Sequence, residues 1–185
     1  MADQGVDVLV AVVETHDRPD LIARMAGLEV MPRRRVSYRG VSFEEMDLDG
    51  LLGMRPAVVL VDELAHSDVP GCRFEKRWQD VEELLEAGID VVTNLNVQHL
   101  ESLNDAVEAL TGFAQRETVP DSFVAGADRI DLLDVEPKVL RQRIAEGAVF
   151  AARRGSVGAG RVLFWRASRR ASRARGWLAG RSRSG

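Results

Sequence analysis

Pro56-Ala57-Val58-Val59-Leu60-Val61-Asp62-Glu63-Leu64-Ala65-His66 is the stretch that most restricts the fold. Ala57 to Val61 is an unbroken apolar run, preceded by a proline and followed by two carboxylates. So short and uniformly apolar a run reads as a strand buried on both faces of a parallel sheet. In open α/β sheets, ligands bind beyond the carboxyl ends of the strands. Asp62 and Glu63 are expected there. An aspartate at such an end can hold Mg2+ on phosphate oxygens, and a neighbouring glutamate can orient an attacking water. The plainer alternative is two acids that cap the following turn.

The flanking sequence supports a parallel sheet with crossover helices. Val6 to Val13 is a β-branched apolar run, broken by Asp7, that ends at Glu14-Thr15-His16. Pro19 suits the first turn of a helix to about Ala26, with Asp17 as N-cap and Gly27 as C-cap. Val30 to Gly40, which includes Arg33-Arg34-Arg35, reads as a short strand or extended loop. Ser42 and Glu45 have capping-box spacing, which predicts a helix to about Leu52. Pro70-Gly71 marks a loop over Ser67 to Phe74. A helix from about Glu75 to Ala87 carries Trp78, Val81, Leu84 and Leu85 on one face. Ile89 to Thr93 is the next strand. A helix from about Val97 to Leu110 is expected to bury Leu100, Leu103, Val107 and Leu110. Glu117 to Val119 reads as extended, Asp121 to Ala125 as a helical turn and Arg129 to Leu133 as a strand. Pro137 begins a last helix to about Ala145.

A length of 185 residues suits one domain with a sizeable core. The charge is divided unevenly. Residues 1–150 hold all 29 acids and 15 bases, a net −14, whereas residues 151–185 hold ten arginines and no acid. This predicts a folded acidic body over 1–150 and a basic Arg/Ser/Gly-rich tail over 151–185 without regular structure. Cys72 is the single cysteine, which excludes an internal disulfide and fits a reducing cytosol. No apolar run approaches the ~20 residues of a membrane helix, and the first residues do not form a signal peptide.

Polar groups fall at three predicted strand ends. They are Glu14-Thr15-His16, Asp62-Glu63 with His66, and Thr93-Asn94 with Asn96, Gln98 and His99. Carboxyl ends of parallel strands share one edge, so these groups are expected to converge. The apolar run ending in Asp62-Glu63 has the Walker B pattern. Its usual companion, a glycine-rich loop followed by lysine, is not in the sequence. Lys76 and Lys138 are the two lysines, and neither follows a glycine loop. Bound Mg2+ on Asp62 is therefore expected only if a nucleotide brings it. His16, His66 and His99 lack zinc-site spacing. His66-Ser67-Asp68 has the residue types of a hydrolase triad, but adjacent residues do not adopt its geometry. Arg33-Arg34-Arg35 is read as a solvated face, and the tail with Trp165 and Trp177 implies no specific nucleic acid.

Several longer motifs occur in order. They are Val-Val-Glu-Thr-His, Pro-Arg-Arg-Arg, Leu-Val-Asp-Glu-Leu-Ala-His, Lys-Arg-Trp-Gln-Asp-Val-Glu-Glu-Leu-Leu, Leu-Asn-Val-Gln-His-Leu-Glu-Ser-Leu-Asn-Asp and Arg-Glu-Thr-Val-Pro-Asp. From about Gly5 to Phe150 the chain resembles the N-terminal sensor domain of the KdpD family of osmosensitive potassium-channel sensor histidine kinases. The resemblance implies an α/β, P-loop NTPase-like parallel sheet with flanking helices. It also implies a cytoplasmic regulatory domain, with Asp62 and Glu63 at the Walker B positions and Mg-ATP as the cofactor of relatives with an intact P-loop. Its partners would be the remaining kinase domains or a full-length KdpD-type kinase, with membrane contact only through full-length relatives.

The resemblance places a first strand, the phosphate loop and a helix before Met1. On that ground no cofactor is expected for this chain. The Ala57–Val61 strand is expected to have an unpaired or poorly covered side, with Val58, Leu60 or their neighbours more exposed than the sequence warrants, and the chain is expected to self-associate or be partly molten. The reading is a truncated sensor domain without the kinase core or a complete active site. The alternatives are a divergent P-loop-type NTPase and a non-functional gene remnant.

Overall fold

A computed structural model describes residues 5–133 and the backbone of 162–167. Its main sheet has six strands, in the order β2-β1-β5-β6-β8-β7. Four of these are parallel: β2 (Glu29–Val30), β1 (Val8–Val12), β5 (Val58–Val61) and β6 (Asp90–Asn96). The remaining two, β8 (Val162–Ala167) and β7 (Arg129–Leu133), pair antiparallel beyond β6. A separate antiparallel hairpin is formed by β3 (Arg34–Tyr38) and β4 (Val41–Glu45). The helices are α1 (Pro19–Met25), α2 (Leu48–Met54), α3 (Arg77–Glu86), α4 (Asn104–Thr111) and α5 (Asp121–Val124). This is the α/β, P-loop NTPase-like arrangement expected from the alternating strands and helices.

The central strands are contiguous apolar runs because both faces of β5 must be covered. Leu9, Val59 and Val91 stand in register across β1, β5 and β6. They pack with Leu51 of α2 and with Val81 and Leu84 of α3 in the main core. Trp78 of α3 stacks obliquely on Phe123 of α5, their ring centroids 5.4 Å apart. The opposite face is less closed. Leu60 and Val92 are half-buried and, with Leu21, line an open cleft of about 320 Å³.

Several expectations are corrected. The Ala57–Val61 strand is paired on both sides, by β1 and β6, and Val58 is buried. Leu60 is half-buried and Ala57 is exposed, which is what remains of the exposure anticipated for this strand. Ser42 and Glu45 do not open a helix. Arg39 and Gly40 both take positive φ, 50° and 78°, as a two-residue hairpin turn requires, and Val41 to Glu45 continues as β4. Helix α2 starts six residues after Ser42, capped by Asp47, whose carboxylate accepts the Gly50 amide at 3.2 Å. Residues Val97–Leu103 form two 3₁₀ turns before α4. Of the predicted apolar stripe, Leu100 packs against the core, Leu103 and Val107 are half-buried, and Leu110 is 87% exposed. Asp17 does not cap α1, which begins after Arg18 without a side-chain cap.

The tail also departs from expectation. Val162 to Ala167 forms β8, whose backbone fills the space between β6 and β7. Averaging composition over 151–185 obscured this run of Val, Leu, Phe and Trp. The expected helix at Pro137–Ala145 lies outside the described residues.

Candidate functional site

The parallel order brings the carboxyl ends of β1, β5 and β6 to one edge. A cleft of about 300 Å³ opens there, lined among others by Glu14, His16, Asp62, Glu63, Asn94 and Asn96. These are the residues predicted to converge. Thr15, Thr93 and Gln98 are exceptions that do not line the cleft; Thr93 is buried, and the Thr15 carbonyl accepts the Arg18 amide at 3.0 Å. His66 and His99 border the cleft too.

Asp62 organises this edge. Its Oδ2 accepts the Glu14 amide at 2.9 Å, and its Oδ1 accepts the Glu63 amide at 3.0 Å and Asn94 Nδ2 at 2.5 Å. The Asn94 side-chain carbonyl accepts the Glu63 amide as well, at 3.0 Å. One carboxylate and one carboxamide thus tie the three strand ends together. Glu63 pays a conformational cost for its place, with φ at +53°, in the left-handed region that L-residues disfavour. His16, across the cleft, has φ of +46°. Non-glycine residues held in this region concentrate at ligand sites.

The walls carry more acid than base. Glu14, Glu63 and Glu117 face Arg18, and Glu14 is engaged by Arg33 Nη1 at 2.7 Å. Of the three adjacent arginines, Arg33 therefore points to the cleft, with Nη2 also donating to the Val13 carbonyl at 3.3 Å. His99 Nδ1 donates to the Glu117 carbonyl at 2.6 Å, which leaves its Nε2 as an acceptor. A cleft of this sign suits a cation, or an anion that arrives with its cation. Asp62, with its neighbours Glu14 and Glu63, could hold Mg2+ on a phosphate chain. The sequence contains no glycine-rich loop to cradle that chain.

Behind the cleft lies a second polar group that sequence reasoning missed. Glu45, Asp68, Arg77 and Asp80 are all buried, with His66 between them and the cleft. His66 Nε2 stands 3.1 Å from Glu45 Oε2 and 3.9 Å from Asp68 Oδ1. The Glu45 Oε1 atom accepts the Val69 amide at 3.2 Å. Arg77 Nη2 is 3.6 Å from Glu45 Oε2, while Nη1 donates to the Asp62 carbonyl at 3.1 Å. That guanidinium therefore links the buried group to the cleft.

Charge in this group is out of balance, with three carboxylates facing one permanent cation. Burial, above all, pushes Asp80 up to about 8, and the neighbouring Asp68 charge adds to the shift. Burial likewise raises Asp68 to about 6, against the pull of Arg77. Glu45 goes the other way. Its burial acts to raise it, but the His66 hydrogen bond and charge, the Val69 amide and Arg77 outweigh that and hold it below its ordinary value. At neutral pH Asp80 keeps a proton that it can donate to Asp68, a division of roles usual for paired acids. When both are ionised, neither Asp68 oxygen has a donor. Burial, followed by the same carboxylates, raises the Cys72 thiol to about 11, so it is not a reactive thiolate.

A signal for this group existed in the sequence. Arg77 and Asp80 precede Val81 and Leu84 on α3 at helical spacing, on the face that the core buries. Counting only apolar residues left the charged part of that face unread.

Comparison with known proteins fits this architecture. Residues 1–168 match the family described as the KdpD osmosensitive K+ channel His kinase sensor domain. The chain is similar to the sensor protein KdpD of Escherichia coli K12, with 58% identity over 149 residues, 80% of this chain and 17% of that protein. It is 51% identical over 152 residues to the sensor protein KdpD of Mycobacterium tuberculosis H37Rv, 82% of this chain and 18% of the relative. The sensor protein KdpD of Clostridium acetobutylicum is 44% identical over 150 residues, 81% and 17% of the two chains. The chain thus spans less than a fifth of these relatives. Among the described residues, no helix is long and apolar enough to cross a membrane. The match extends from β1 through β8, and the chain belongs to the KdpD sensor-domain family.

Proposed function

We propose that this chain acts as a cytoplasmic regulatory module of a KdpD-type sensor histidine kinase and contributes to potassium and osmotic signalling. Its partner is the kinase core of such a protein. The carrying observation is a family match over residues 1–168 whose three parallel strand ends converge on Asp62. The module senses through that edge. A ligand that draws Glu14, Asp62 and Asn94 together is also felt at Arg77 through the Asp62 carbonyl. The test is a chimera in which these residues replace the matching segment of a KdpD relative. Autophosphorylation that still responds to potassium, and loses that response with Asp62→Ala, is the expected result. A response identical to that of a kinase with the segment deleted overturns the proposal.

A second reading, an ATP-binding module related to P-loop NTPases, is favoured by the position of Asp62 and Glu63 at the end of β5. The isolated 185-residue chain lacks a phosphate loop, so titration calorimetry should detect no micromolar Mg-ATP binding. Micromolar binding that Asp62→Ala abolishes would show instead that the cleft alone suffices.

A further inference from the structure

Asp68 lies in the loop after β5 with its side chain 2% exposed, yet neither carboxylate oxygen meets a donor when the buried acids are ionised. Its Oδ1 faces His66 Nε2 from 3.9 Å, too far for a hydrogen bond. Glu45 Oε2 reaches the same ring nitrogen from the end of β4 at 3.1 Å. One ligand atom from each of Glu45, His66 and Asp68 lies within 4.8 Å of the other two.

We propose that Glu45, His66 and Asp68 form a binding site for a divalent metal ion of the zinc class. The spacing supports this. Zinc bonds to nitrogen and oxygen are about 2.0–2.2 Å long, which places neighbouring ligands of a tetrahedron about 3.3–3.5 Å apart. Separations of 3.1 and 3.9 Å from His66 Nε2 bracket that value. The donor set, one imidazole and two carboxylates, leaves a fourth position for water and suits zinc better than magnesium. The charge agrees as well. With Glu45 and Asp68 ionised against Arg77, a net charge of −1 remains to be balanced. A supporting contact is present, since the Val69 amide fixes the free Oε1 of Glu45, while Arg77 Nη2 stands 3.6 Å from the ligating Oε2. Access is through His66, which is 29% exposed and borders the strand-end cleft.

Binding replaces the Nε2 proton that His66 otherwise directs at Glu45, and that proton leaves to solvent. The ion would pin the end of β4 to the loop after β5. These are separate chain segments, so the site crosslinks the hairpin to the sheet immediately behind Asp62.

The experiment uses the full 185-residue chain, stripped with a chelator and titrated with Zn2+ and then Co2+. One ion per chain is expected, along with a raised thermal midpoint. His66→Gln and Asp68→Asn should each weaken Zn2+ binding at least 100-fold while the variants retain a cooperative transition. Cobalt should give visible d–d bands without a thiolate charge-transfer band. This last measurement needs no variant, so it holds even if a substitution prevents folding. A folded chain that takes up no Zn2+ overturns the proposal. Uptake that survives both substitutions, or a thiolate band assigning the ion to Cys72, also overturns it.

Discussion

Asp62 and Asp68 are six positions apart, yet they occupy opposite electrostatic settings. Asp62 stands at the wet end of β5, where two backbone amides and the Asn94 carboxamide donate to it. Asp68 is enclosed with two other acids and one guanidinium, and its one donor is the proton that Asp80 retains. The first carboxylate is a tie between strands that water can replace. The second is a buried charge whose cost depends on what neutralises it. A perturbation of the inner group should therefore cost far more than an equivalent change in the cleft.

Arg77→Ala should have the largest effect. It removes the one permanent cation from the inner group and frees the Asp62 carbonyl. Breaking a buried ion pair at one partner costs about 3–5 kcal/mol, a large share of the stability of a domain this size. Urea denaturation should show that loss or an unfolded chain, with Arg77→Lys recovering part of it. A change below about 1 kcal/mol would mean that the inner acids are neutralised by protons alone.

The second perturbation tests the sign of the buried charge. Asp68, Arg77 and Glu83 face Asp80, with Glu45 and His66 beyond Asp68. The Asp80 pKa is raised from 3.8 to about 8 on folding, so the native state binds the proton more tightly. Its contribution to stability is present in full below pH 4, is lost as pH rises toward 8, and then stays flat. Asp68, raised to about 6, adds to the same decline. Glu45 has the opposite sign, but its effect falls at more acid pH, below its ordinary value of 4.5. In chelator-treated protein the thermal midpoint should drop from pH 5 to pH 8.5. Asp80→Asn keeps a donor toward Asp68 and should flatten that slope, with a gain of about 1–3 kcal/mol at pH 8.5. A wild-type midpoint that rises over this range would show that Asp80 is not protonated in the fold.

In the cleft, Asn94→Ala removes one donor to Asp62 and one acceptor for the Glu63 amide. Solvent can take both places, so chemical denaturation should show a loss of about 1 kcal/mol. A loss as large as that of Arg77→Ala would end the contrast between the two regions.

The same contrast explains what was legible in the sequence. Buried parallel strands are written as contiguous apolar runs, so β1, β5 and β6 stood out, and a general rule then located Asp62, Glu14 and Asn94 at their ends. The inner group left no such trace. Glu45 matched a capping box because Ser42 and Glu45 have that spacing, whereas the turn at Arg39-Gly40 and the alternation of Val41, Ser42 and Phe43 decided for a strand. Asp68 was read only as part of an implausible triad with His66 and Ser67. What buries Asp68, Arg77 and Asp80 together is the arrival of β4 against α3 and the loop after β5, a contact between distant segments. β8 was hidden differently, by ten arginines in the surrounding tail. Strand pairing requires only a short apolar stretch and a partner, and β6 supplies the partner.

The smallest effect is expected at Glu63, where the cleft holds its strain. The φ of +53° costs an L-residue about 1 kcal/mol, while glycine adopts it without a side-chain clash. Glu63→Gly removes that cost but widens the unfolded ensemble, which opposes the gain by about 0.4–1 kcal/mol. The net change against wild type should be near zero. The informative comparison is with Glu63→Ala, which deletes the same carboxylate and keeps the strain. Glycine should exceed alanine by no more than about 1 kcal/mol in urea denaturation. If alanine is the more stable by about 0.4–1 kcal/mol, the amide bonds to Asp62 and Asn94 do not hold residue 63 in the left-handed region in solution. If glycine is better and the potassium response of the chimera is lost in both, the strained backbone serves to aim the Glu63 carboxylate into the cleft. A response kept by both variants would leave Asp62 as the acid that matters at this edge.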